Sequence, residues 1–77
     1  MGGRIMSYVI VEIQTNADGT LGVLTFTNND RYEAEAIYHE KLAYAARSAL
    51  PKHSVVLTDN TGNLINFQCY EHGSASN

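Results

Sequence analysis

The chain has 77 residues, of which 44% are hydrophobic and 17% charged, enough for one small domain and too few for a second core. Five Lys and Arg against eight Asp and Glu leave a net charge of −3, the wrong balance for a general nucleic-acid binder, whose affinity comes from cations on phosphates. One cysteine, Cys69, excludes an intramolecular disulfide framework, and no apolar run approaches the length of a membrane span. A core of this size rarely supplies more than about 3–5 kcal/mol, so self-association is expected to help it.

Residues 1–5 (Met1-Gly2-Gly3-Arg4-Ile5) read as a translated leader upstream of a natural start at Met6, since Gly-Gly-Arg is encodable by a purine-rich ribosome-binding site. A cloning remnant or a true terminus fits equally. The segment matches neither a myristoylation pattern, which wants Ser or Thr where Met6 stands, nor a secretory peptide. A cytoplasmic protein with a reduced thiol is the expectation.

Tyr8 to Gln14 is rich in β-branched residues and predicts a strand, with Val9, Val11 and Ile13 on one face and Tyr8, Ile10, Glu12 and Gln14 on the other. Asn16-Ala17-Asp18-Gly19 predicts a hairpin turn, followed by a strand Leu21 to Thr27 with Leu24 and Phe26 inward. Asp30, with Glu33 three residues on, reads as a capping box. It opens a helix Arg31–Leu50 that contains six alanines, lacks Gly and Pro, and stops at Pro51. Its apolar stripe is Ala34, Tyr38, Leu42, Ala45 and Ala49, flanked by Ile37 and Tyr44. Beside the charged line Glu33, Glu40 and Arg47 lie Ala36, Ala43, Ala46 and Leu50, small residues that suit a second packing surface between copies. Ser54 to Thr58 predicts a third strand. Asp59 to Asn63 predicts a turn with Gly62 left-handed. Leu64 to Tyr70 predicts a fourth strand, with Ile65, Phe67 and Cys69 sharing a buried face. Residues 73–77 should fray.

The order is ββαββ, an α+β domain over residues 6–72. It comprises a four-stranded, mainly antiparallel sheet in order 2-1-3-4 with one helix on one face. The other face is expected to show Tyr8, Ile10, Val23, Val56 and Tyr70, a second contact surface.

Chemistry-bearing residues are sparse. Cys69-x-x-His72 has half a zinc-knuckle spacing and His53 could join it, but a structural zinc wants four ligands and no fourth is present. No metal or cofactor is expected. A Cys69–histidine dyad is disfavoured because a thiol on a buried apolar face is inert, and no carboxylate pair suits acid–base work, so no enzymatic activity is expected. What remains is Lys41, Tyr44, Arg47, Ser48 and His53, a basic, hydroxyl and aromatic cluster with Lys52 and Ser54 nearby. It could hold a small anion, with Arg47 forking phosphate oxygens and Tyr44 stacking a base. The same cations also complement the helix dipole.

The block Tyr38-His39-Glu40-Lys41-Leu42-Ala43-Tyr44-Ala45-Ala46-Arg47-Ser48, continuing Leu50-Pro51-Lys52-His53-Ser54-Val55-Val56-Leu57, with Gly62 and Cys69-Tyr70-Glu71-His72, resembles short uncharacterised proteins of Firmicute phages and integrative elements. The resemblance spans most of residues 8–72 and implies an accessory gene of a mobile element, with no activity attached. By analogy of context, it implies a counter-defence role. Two expectations follow: a homo-oligomer (a homodimer or higher) sequestering a small nucleotide-like immune signal between subunits, or an inhibitor or adaptor docking on a host protein through its open sheet face.

Overall fold

A computed structural model describes residues 6–72, so the leader-like residues 1–5 and the tail 73–77 lie outside the described residues. The elements are β1 (Tyr8–Thr15), β2 (Leu21–Asn28), α1 (Arg31–Arg47), β3 (Lys52–Asp59) and β4 (Leu64–Glu71). The four strands form one antiparallel sheet in the order β2-β1-β3-β4. Both the element order and the sheet order agree with the sequence expectation. The apolar first strand sits centrally, where both its edges are paired.

Turn chemistry fixes the two hairpins. Gly19 and Gly62 both take positive φ, 90° and 93°, which side chains with a Cβ rarely adopt. In the first turn the Asp18 carboxylate accepts from the Thr20 amide at 3.0 Å and the Thr20 hydroxyl at 2.7 Å. In the second, one oxygen of Asp59 accepts from the Thr61 hydroxyl, the Thr61 amide and the Asn63 amide, at 2.6, 2.8 and 3.0 Å. The threonine hydroxyl is in each case the main cause that holds the carboxyl below its ordinary range.

Asp30 caps α1, its carboxylate accepting from the Tyr32 amide at 3.0 Å. The expected capping box is modified: the Asp30 amide donates to Asn28 Oδ1 at 2.8 Å, so the asparagine meets the need assigned to Glu33. The helix ends at Arg47 rather than Leu50. Ser48 is extended, its amide donates to Ala45 O at 3.2 Å, and its hydroxyl accepts from the Leu50 amide at 3.0 Å. A serine turn followed by a residue barred from helix by Pro51 removes the last expected turn.

The helix lies mainly over β3 and β1. Beneath it are buried Tyr8, Ile10, Val55 and Leu57, packed against Ala34, Tyr38 and Ala45, with Phe26, Ile37, Leu42, Ile65 and Tyr70 at the margin. Burial, with Tyr70 as a lesser cause, pushes the Tyr38 hydroxyl above its ordinary range.

This reverses part of the expected face assignment. Tyr8, Ile10 and Tyr70, expected on the open face, are on the covered one, and Val9, Val11 and Ile13 are on the uncovered one. The first strand is apolar on both sides, so alternation alone does not choose. Register does: Ile10 stands opposite Phe26 and Leu57, and Glu12 opposite Leu24 and Val55. Val23 and Val56 are on the uncovered face as expected. The β3–β4 ladder shifts at Leu57/Thr58, skipping Ile65. That bulge turns Ile65 to the core while Phe67, 51% exposed, and Cys69, expected to be buried with it, fall on the uncovered face.

Truncating Ile10 to Ala is expected to cost about 2–5 kcal/mol in urea unfolding, most of what so small a core supplies. Val9→Ala, on the opposite face, is expected to cost distinctly less in dilute protein. The reverse ranking would put the helix on the wrong face.

Candidate functional site

Two surfaces and one buried pair carry the chemistry of this molecule. The pair is on the covered face. Glu12 and His53 are 5% and 4% exposed, on β1 and β3, and His53 Nε2 lies 2.6 Å from Glu12 Oε2. Gln14, directly opposite His53, donates from Nε2 to the same carboxylate oxygen at 3.2 Å. His53 Nδ1 is buried and has no hydrogen-bond partner among the described residues. The sequence groups His53 with the basic cluster of the helix end and gives Glu12 a place on a strand face but no role. The one signal available was Glu12 itself, a carboxylate in the middle of an apolar strand, which needs a partner wherever the strand is central.

The expected anion cluster is therefore split. Lys41, Tyr44, Arg47 and Ser48 share the C-terminal part of α1. Lys41 is half-buried, with Nζ 4.4 Å from the Phe26 ring centre and 5.5 Å from that of Tyr44; Tyr44 and Arg47 are exposed, and Ser48 serves as the C-cap. His53 is not with them. These residues form a convex stripe at helical spacing, and no cavity is found among the described residues.

The expected interface residues Ala36, Ala43 and Ala46 are exposed on the outer side of α1. Leu50 lies past the helix end and half-buried, so it does not continue their stripe.

Cys69 and the histidines are separated by the sheet. Cys69 stands opposite Ser54 and His53 opposite Tyr70, so neighbouring residues put the thiol and the imidazole on opposite faces. His72 is also on the helix side, donating from Nε2 to Ala45 O at 2.9 Å and stacked on Tyr70. It satisfies a carbonyl of the last helical turn. Neither His53 nor His72 pairs with Cys69, their ring nitrogens Nε2 being engaged by Glu12 and by Ala45 O, and the described residues hold no group of three or more His, Cys, Asp or Glu placed to share a metal ion.

The second surface is the uncovered side of the sheet. The ladder places Val9, Val11, Ile13 and Thr15 there from β1, and Leu21, Val23, Thr25 and Thr27 from β2. Lys52, Ser54, Val56 and Thr58 come from β3, and Leu64, Phe67, Cys69 and Glu71 from β4. Among the described residues its only charged side chains, Lys52 and Glu71, stand opposite each other at one corner. Compared with protein-family profiles, with curated proteins and with solved structures, the chain matches none of them.

Breaking the buried pair tests its structural role. His53→Ala is expected to cost about 3–5 kcal/mol in denaturant unfolding by leaving Glu12 buried. Glu12→Leu combined with His53→Leu is expected to recover much of that loss. A double variant as unstable as the sum of the singles would contradict the coupling.

Proposed function

We propose that this is a non-enzymatic binding protein that works as a homo-oligomer, assembled through the uncovered face of its sheet. The observation that carries the reading is that face: each of the four strands contributes apolar side chains to it among Thr and Ser, it is free of net charge, and it is left bare by the only helix among the described residues. Strands about 4.8 Å apart with about 3.3 Å per residue give a face of about 500 Å². Two such faces brought together reach about 1,000 Å², where specific interfaces begin. A second copy fits because the face is self-complementary in character. It opposes no like charges except at the Lys52–Glu71 corner, where both signs are present, and two aligned sheets pack about 10 Å apart through such surfaces. The small core supplies the independent reason that a copy should cover it.

The ligand class follows from the helix. Lys41, Tyr44 and Arg47 offer an ammonium, an exposed ring and a guanidinium in one stripe, which suits a small nucleotide-like anion. The resemblance to proteins of phages and integrative elements supports the role of sequestering such a signal inside a bacterial host cell. The same bare face favours a second reading, an inhibitor or adaptor that docks on a host protein.

Native mass spectrometry of gently purified protein separates these. An oligomer with a reproducible extra mass is expected. Val56→Lys, at the centre of the face, should lower the copy number, and Arg47→Ala should lose the extra mass while keeping it. A bare monomer would overturn the reading and favour the host-protein target.

A further inference from the structure

Antiparallel strands alternate between residues that bond their neighbour and residues whose amide and carbonyl point away. In the first hairpin the Asn16 amide donates to Thr20 O at 2.8 Å, and this sets the phase. Gly22, Leu24, Phe26 and Asn28 bond to β1, so the backbone groups of Leu21, Val23, Thr25 and Thr27 point out from the sheet's edge. Exposed edges of this kind are normally blunted by charge, proline or a bulge. The β4 edge has a bulge and Glu71. The β2 edge has none of these: Leu21–Asn28 contains no charged residue and no proline, and its eight-residue register with β1 is unbroken. On the helix side it also leaves Leu24 48% exposed.

We propose that this edge pairs, antiparallel, with β2 of a second copy about a two-fold axis at Leu24. An axis perpendicular to the sheet keeps both helices on one side, and it requires residues of the same parity to stand opposite each other. Centring on Leu24 is the register that pairs all of Leu21 to Thr27. It forms about eight new main-chain hydrogen bonds and sets Leu24 against Leu24 of the second copy. It also sets Phe26 against Gly22. An aromatic ring laid across a bare glycine is a recognised stabilising pair in sheets, and among the described residues, its chain neighbours aside, only Gln14 lies within 4 Å of the space above Gly22. Val23 then faces Thr25, a β-branched pair on the uncovered side.

The pairing deepens the homo-oligomeric reading and rests on it. Because α1 lies over β3 and β1, the two helices would flank the seam and leave a groove about 10 Å wide between them. Leu24 and Phe26 of both copies floor it. Lys41, held over Phe26, and Tyr44 wall it. The Lys41–Tyr44 part of the convex stripe thus becomes one side of a concave site made from two chains, with Arg47 further round the helix. With the two-fold of face packing lying parallel to the sheet and crossing the edge axis at the seam, the two contacts close into a tetramer of dihedral symmetry.

The test uses two edge variants. Thr25→Pro removes an amide that points away from β1, a position where an edge strand tolerates proline; Leu24→Lys puts two ammonium groups opposite each other on the axis, without touching the uncovered face. With folding checked by circular dichroism, native mass spectrometry is expected to give a tetramer for the wild type and a dimer for each edge variant. Val56→Lys is also expected to give a dimer, and Val56→Lys with Thr25→Pro a monomer. Edge variants that keep the wild-type copy number would overturn the edge pairing while leaving the face reading intact if Val56→Lys still lowers it. If only the edge variants lower the copy number, the edge stands and the face reading falls.

Discussion

One helix can cover one face of a sheet. Here a helix of 17 residues, about 25 Å long and about 10 Å across, lies on a four-stranded sheet about 19 Å wide. It buries the middle of that face and reaches neither the outer part of β2 nor any of the opposite side. The small core, the bare apolar face and the bare edge are all consequences of this one limit. The chain's 44% hydrophobic content is ordinary for a domain, yet much of its β-branched and aromatic surface lies where its own helix cannot reach.

Because β1 is apolar on both sides, hydrophobicity gives little preference between one register and its one-residue slip, which would exchange the faces. The polar residues make the choice. Glu12 and His53 meet on the covered face at 2.6 Å, with Gln14 beside them. A slip of β1 would carry Glu12 to the uncovered face, away from His53, and strand the imidazole in the core. The pair therefore acts as a register key, a role in which buried polar contacts are best attested. The turns act in the same direction, since Gly19 and Gly62 with their Asx networks allow one hairpin length each.

The fold was legible because its signals were local and redundant. Asp30 before an alanine-rich run, Pro51 after it, and Asp-Gly or Thr-Gly turns between β-branched runs give element order, and the apolarity of β1 gives its central place. The face assignment was not legible, because Val9, Ile10 and Val11 differ too little for alternation to rank them. Nor was the skip at Ile65, which separates Ile65 from Phe67 and Cys69, expected to share its buried face: a bulge leaves no mark in composition. The candidate site was partly legible. Lys41, Tyr44 and Arg47 share the helix end as their spacing implies, whereas His53 lay outside that logic because its partner, Glu12, is forty-one residues away.

The central claim is that a second copy covers the uncovered face, and Cys69 is a reporter already in place there. Its reaction rate with a water-soluble maleimide, compared between the wild type and Val56→Lys under native conditions, measures that cover directly. A thiol many-fold slower in the wild type than in the variant is the predicted result. Equal rates in the two proteins would mean that nothing covers the face, and would contradict the account.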